Sequence, residues 1–126
     1  MDGFFRSRLA SFRPAFAGWW HVLRHQQNAW VHATISLAVF ALGIWLELGR
    51  LEWALIILTV VLVWMAEFVN TALEAIVDLA SPDEHPLARA GKDIGAAAVL
   101  ICAAAAVVVG LLVLGPPLWA RLSALL

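Results

Sequence analysis

Apolar positions along this chain fall into three long runs, preceded by one stretch in which they recur at helical intervals. Residues 29–46 (AWVHATISLAVFALGIWL) carry no formal charge. The segment extends to 29–48, enough to cross a hydrocarbon core of about 30 Å. Gly49-Arg50 then predicts a short turn. A second run starts at Trp53 and stays uncharged as far as Ala66, continuing to Asp78 with charge on its last turns. The third runs from Ile94 to Leu114. It is expected to stop at Gly115-Pro116-Pro117, where prolines remove helical donors. Its small residues, Gly95 to Ala98, Ala103 to Ala106 and Gly110, predict close packing against another helix inside a bundle. Between the second and third runs, residues 79–93 read as a polar loop. In residues 4–24, Phe5, Leu9, Phe12, Phe16, Trp19 and Leu23 recur every three or four positions with arginines between them. That pattern predicts an amphipathic helix lying in a membrane interface, with Pro14 as a kink or restart; a plain anchor and orientation signal is the alternative.

Composition agrees with a bilayer as the solvent. The 126 residues are 63% hydrophobic with a mean hydropathy of +0.90. A soluble domain has roughly 45–50% apolar residues. The expected fold is an all-α membrane protein of one domain over residues 1–126: an N-terminal surface helix plus three transmembrane helices. No cleavable signal peptide is expected, because a polar stretch rather than a short apolar core follows the N-terminal arginines. The net charge of −1 says little. Its distribution says more: Arg6, Arg8, Arg13, Arg24, Arg89 and Lys92 fall on one side of the spans, and Arg50 and Arg121 on the other. That asymmetry places the N-terminus and the 79–93 loop in the cytoplasm. Trp45, Trp53 and Trp119 then mark the outer interface and Trp30 the inner one. A few interfacial arginines make no nucleic-acid patch. The single cysteine, Cys102, can form no internal disulfide.

The chemistry concentrates at the end of the second span, EFVNTALEAIVD (67–78). Glu67, Asn70, Glu74 and Asp78 fall within about 80° of one another on a helix, as one polar stripe. An ionised group at the bilayer centre costs about 2.5–3.5 kcal/mol on insertion scales. A stripe of three acids must therefore face protein, a cavity or the cytosol. At about 1.5 Å per residue from Trp53, Glu67 lies about 21 Å in, Glu74 about 32 Å and Asp78 about 38 Å. One carboxylate can meet a lipid headgroup from within, while the others meet a water-soluble partner from below. The bland reading pairs these acids with Arg89, Lys92 or a neighbouring helix and makes a non-catalytic bundle. A small proton or ion transport subunit is a further alternative. It is weakened because spans one and three carry no counterpart acids.

The segment SPDEHPLARAGKD (81–93) supplies the complement. Ser81, Pro82 and Glu84 resemble a helix start with a capping box, although Pro86 limits a helix there. Lys92, placed where the helix dipole disfavours a cation, invites Asp93, Asp78 or a phosphate; an ordinary positive-inside lysine is the alternative. Asp93 can equally serve as a helix cap, and His85 as an ordinary loop histidine.

The run E-F-V-N-T-A-L-E-A-I-V-D followed by H-P-L-A-R-A-G-K-D-I-G-A-A-A-V-L resembles the signature of the bacterial diacylglycerol kinase family, which includes the undecaprenol kinases. The resemblance covers nearly the whole chain, and NAWVH (28–32) is closer to the Asn-x-x-x-His pattern of the undecaprenol kinase branch. It implies ATP- and Mg²⁺-dependent phosphorylation of a lipid alcohol at the cytoplasmic face of the bacterial inner membrane, in a homotrimer with sites between subunits. It casts Glu67 as general base and Glu74 as Mg²⁺ ligand. Lys92 neutralises the transferred phosphoryl group, and Asp83, Glu84, His85 and Asp93, with Glu74 and Lys92, line the nucleotide site. Asn70 and Asp78 take supporting roles. The chain fits by lacking a P-loop or protein-kinase motif. It departs where family members offer a second acidic metal ligand: that position is Gln26, and the arginine often found nearby is Trp30. Gln26 brings an oxygen without a charge, which reads as a variant active site.

Overall fold

The computed structural model describes residues 2–125, with side chains from Phe12 onward. Four helices follow in order: α1 (Asp2–His25), α2 (Gln27–Trp45), α3 (Arg50–Ala80) and α4 (Pro86–Ser123). No strand occurs among the described residues. α2, α3 and α4 are each long and apolar enough to cross a membrane. They comprise 19, 31 and 38 residues. At about 1.5 Å per residue these lengths are about 28 Å, about 46 Å and about 57 Å. α3 and α4 therefore outreach a core of about 30 Å, and their polar ends project together.

α3 and α4 make the most extensive packing; α2 lies against α3 and α1 against α2 more lightly. At one end, Leu46, Leu48, Ile56, Val113 and Leu114 bury one another, with Phe40, Trp53, Val109 and Leu118 packed around them. The α2–α3 turn is part of this cluster because it closes tightly. Leu48 N donates to Gly43 O at 3.2 Å and Glu47 N to Ile44 O at 3.1 Å. Paired bonds of this kind end a helix with a left-handed residue. That residue is Glu47, at φ 56°. The conformation costs a non-glycine residue about 1–2 kcal/mol. Arg121 of α4 reaches back to it, donating from Nη2 to the Trp45 carbonyl at 2.7 Å and to Glu47 Oε1 at 3.2 Å. Gly43 permits the closure, since a Cβ there would stand 2.9 Å from the Trp53 ring. The turn is Leu46–Gly49 rather than Gly49-Arg50, and Arg50 already belongs to α3.

Further expectations need correcting. α4 does not stop at Gly115-Pro116-Pro117 but runs on to Ser123. Leu118 packs against the apolar cluster and Arg121 clamps the α2 end. These contacts hold the last turns in place after the prolines remove two donors. The 79–93 loop shrinks to residues 81–85, because Pro86 opens α4 instead of limiting it. A first-turn proline loses no helical bond. Ser81 to Glu84 accordingly form no capping box, and Asp93 caps nothing. His85 is the cap, its Nδ1 accepting from Leu87 N at 3.2 Å. Pro14 neither breaks nor restarts α1. The small-residue face of α4 is mostly open within one chain: Ala96, Ala97, Ala98, Ala104 and Ala105 are exposed, and Gly95 alone among the small residues is buried.

Large apolar side chains face outward along every span, among them Leu37, Ile57, Leu100 and Leu111. A patch of that extent belongs in lipid or against further chains. On α1, Phe12, Phe16, Trp19 and Trp20 are exposed as well. Phe5 and Leu9, on which the amphipathic pattern also rests, lie outside the residues whose side chains are described.

Candidate active site

The polar stripe of α3 is graded in exposure. Glu67 is 1% exposed, Asn70 and Thr71 are also buried, Glu74 is half-buried, and Asp78 is exposed. An apolar helix admits such a stripe only where its neighbours supply polar partners or space, and here three elements converge on it.

Gln26 is the extended residue between α1 and α2. That break in the helix aims its side chain at α3, where Nε2 donates to Glu74 Oε2 at 3.2 Å. From one turn earlier on α3, Asn70 Nδ2 donates to Glu74 Oε1 at 2.9 Å. Both carboxylate oxygens of Glu74 are thus held by neutral amides. Asn70 is itself fixed by α4, because a Cβ on Gly95 would fall on Asn70 Oδ1. Only glycine lets the two helices approach at this level.

Glu67 sits two turns deeper, about 10 Å along the helix axis from Glu74. The Thr71 hydroxyl donates to its backbone carbonyl at 2.9 Å, leaving the side chain unengaged. Its Oε2 is buried with no hydrogen-bond partner, and so is His32 Nε2 on α2, 3.8 Å away. An aromatic cluster lies beside His32, whose ring centroid is 6.3 Å from that of Trp64. Trp19 packs against Trp64 and Phe68 with centroids 4.9 and 4.6 Å apart, and Trp64 donates to Ser36 at 3.2 Å. A buried carboxylate with an unused oxygen beside a packed aromatic wall is unusual as architecture and useful as chemistry.

At the polar end, Asp78, Asp83, Glu84, His85, Arg89 and Lys92 line a cleft of about 750 Å³ between the close of α3 and the start of α4. Lys92 is ion-paired with Asp78 across it. The Ser81 hydroxyl donates to Asp83 O at 3.0 Å and shapes the loop that carries the acids. Such a cleft, with cations and hydrogen-bond donors on one wall, suits a polar, phosphate-bearing molecule. Asp93 points to solvent on α4 and does not line it.

The expected residues therefore divide. Gln26, Asn70 and Glu74 are joined by hydrogen bonds, with Glu67 further along α3. Asp78, Asp83, Glu84, His85 and Lys92 gather around the cleft, and Asp93 stands apart. The sequence pattern does not single out His32 or Gly95 as site residues. His32 has only the Asn-x-x-x-His spacing to mark it, and Gly95 is one small residue among many. No group of three His, Cys, Asp or Glu placed to hold a metal occurs among the described residues. The donor set at Glu74 still suits Mg²⁺, which takes one or two carboxylates and completes its shell with water and phosphate oxygens. If the amides turn, Gln26 and Asn70 present oxygens beside that carboxylate.

A sequence model of the family described as prokaryotic diacylglycerol kinase matches residues 13–114. Undecaprenol kinase of Bacillus subtilis (strain 168) is 39% identical over 108 residues, covering 86% of this chain and 88% of that protein. Diacylglycerol kinase of Synechocystis sp. is 42% identical over 111 residues, covering 87% of this chain and 63% of that protein. Diacylglycerol kinase of Escherichia coli (strain K12) is 34% identical over 98 residues, covering 78% of this chain and 77% of that protein.

Proposed function

The chain belongs to the prokaryotic diacylglycerol kinase family and is a membrane lipid kinase, and from that premise we propose that it transfers the γ-phosphoryl group of ATP to the hydroxyl of undecaprenol or diacylglycerol. The observation that carries the mechanism is Glu67: a carboxylate on the apolar helix α3, 1% exposed, whose Oε2 has no hydrogen-bond partner. The lipid hydroxyl reaches it from within the bilayer. Glu67 takes the hydroxyl proton as the oxygen attacks the γ-phosphorus; the bond to the β–γ bridging oxygen breaks, and ADP leaves.

Glu74, with the oxygens of Gln26 and Asn70, would hold Mg²⁺, which neutralises phosphate charge when bound. Lys92 exchanges Asp78 for the transferring phosphoryl group and stabilises its charge. Asp83, Glu84 and His85 contact the nucleotide, and Asp93, outside the cleft, takes no part in this reading. Along α3, Glu67 and Asp78 are about 16 Å apart, so the stripe forms a ladder from the lipid to the cleft. In this reading α1 lies on the cytoplasmic surface of the bacterial inner membrane, with the N-terminus and residues 81–85 on the same side. Its exposed Phe12, Phe16 and Trp20 favour that position. The chain acts as a homotrimer, whose partners cover the open α4 face and close the cleft.

Purified protein in detergent, given ATP labelled at the γ-phosphate, Mg²⁺ and either lipid, tests the proposal. Label in one lipid establishes the transfer and names the acceptor. No label in either, from protein shown to be folded, refutes it.

A further inference from the structure

The lone oxygen of Glu67 has a counterpart. His32 Nε2 and Glu67 Oε2 are both buried, both lack a hydrogen-bond partner, and stand 3.8 Å apart. That is too far for a bond to each other. The His32 side chain is 14% exposed and that of Glu67 2%. Two orphaned polar atoms at such depth are costly unless something sits between them. The spacing fits a single oxygen about 2.8 Å from each, at an angle of roughly 85°. Their roles are complementary: the carboxylate can only accept, and Nε2 can donate when the ring carries its proton there. A hydroxyl is the group that satisfies both, donating to Glu67 and accepting from His32. Water could do so too, but the wall of Trp19, Trp64 and Phe68 beside the pair favours a molecule with an apolar body.

We propose that His32 is a positioning residue for the acceptor, its Nε2–H holding the lipid hydroxyl oxygen so that the proton points at Glu67 and a lone pair is free to attack. The inference rests on the lipid kinase reading above. It assigns α2 a part in acceptor recognition, leaving ATP to the α3–α4 cleft.

Steady-state kinetics of the full-length protein in mixed micelles test this with His32→Ala and His32→Gln. Lipid alcohol is varied at saturating ATP, then ATP at saturating lipid. Losing one hydrogen bond to a reacting group predicts that His32→Ala lowers kcat/KM for the lipid about 10–100-fold. KM for ATP stays unchanged, and His32→Gln, whose amide N–H can donate from nearly the same place, recovers most of the loss. Wild-type rates in His32→Ala overturn the proposal, as do equal losses in both variants or a parallel rise in KM for ATP, which mark a packing role. A wild-type protein that phosphorylates neither lipid removes the kinase reading and this inference together, an outcome visible without any variant.

Discussion

Gln26→Glu separates the contact at Glu74 from the metal proposed there. The structure places Gln26 Nε2 3.2 Å from Glu74 Oε2 as donor to acceptor. Substitution by glutamate removes the donor and sets a second negative oxygen at about that distance. Unit charges so placed repel by about 5 kcal/mol at an effective dielectric constant of about 20. Glu74 is only half-buried, so solvent screening and side-chain rotation reduce this to about 1–3 kcal/mol. In chelator, the variant should therefore unfold at a lower temperature than wild type. Mg²⁺ reverses the sign, because two carboxylates facing each other make a stronger site than a carboxylate and an amide. The repulsion relieved on binding reappears as affinity, about 10–100-fold tighter for Mg²⁺. The assay is thermal unfolding in detergent without nucleotide, in EDTA and along an Mg²⁺ titration. Unfolding temperatures equal to wild type in EDTA would refute the contact. A lowered temperature that Mg²⁺ fails to recover would keep the contact and refute the metal assignment.

Glu67→Gln keeps the shape of a side chain whose Oε2 bonds nothing. Lipid phosphorylation should fall about 10²–10⁴-fold while the unfolding temperature holds; activity above a tenth of wild type would exclude Glu67 as base. Gly95→Ala drives a methyl into Asn70 and should cost about 1–3 kcal/mol in unfolding free energy, together with activity. Gly110→Ala, at a site with nothing within 4 Å, serves as control and should be neutral or stabilising. Equal stability of the two would show that α3 and α4 are not held together at Gly95. Glu47→Gly relieves a left-handed residue, worth about 1–2 kcal/mol. It also forfeits an exposed pair with Arg121, worth about 0–1 kcal/mol. Denaturation should show no net loss, and a clear destabilisation would mean that the Arg121 clamp outweighs the strain.

The spans were legible because apolar runs of that length have one common use. The first two runs, 29–48 and 53–78, lie on the helices Gln27–Trp45 and Arg50–Ala80. The helix that carries the third run starts eight residues before it and ends nine after it, Pro86–Ser123 against 94–114. Both extensions involve proline. Its effect depends on position and tertiary support, and neither the cap at His85 nor the grip of Arg121 on Trp45 is written into local sequence. The acid stripe was legible for the opposite reason: charge inside an apolar run is too costly to be idle. His32 raised no such alarm, being one ring in a span without Asp, Glu, Lys or Arg. Its partner became visible only when α2 was laid against α3.

The gradient along α3 bears on why the stripe spreads over about three helical turns instead of clustering. Phosphoryl transfer to a lipid has two substrates with opposite solvents, and a base that met water as easily as lipid would hydrolyse ATP. Glu67, the proposed base, is kept from water by burial, at 1% exposure. Lys92 and Asp78 stand where an anionic nucleotide can arrive, with side chains 39% and 62% exposed. Glu74 joins the two regimes. Two amides anchor it, one from its own helix and one from the α1–α2 junction. A shift of α1 or α2 therefore moves Gln26 and His32 together, relative to Glu67 and Glu74 on α3. On the proposed roles, the contact of α2 with α3 links acceptor binding to the phosphate end of the site. The arrangement also explains why amides, Gln26 and Asn70, hold Glu74: each adjusts the carboxylate without adding a charge that the bilayer would resist.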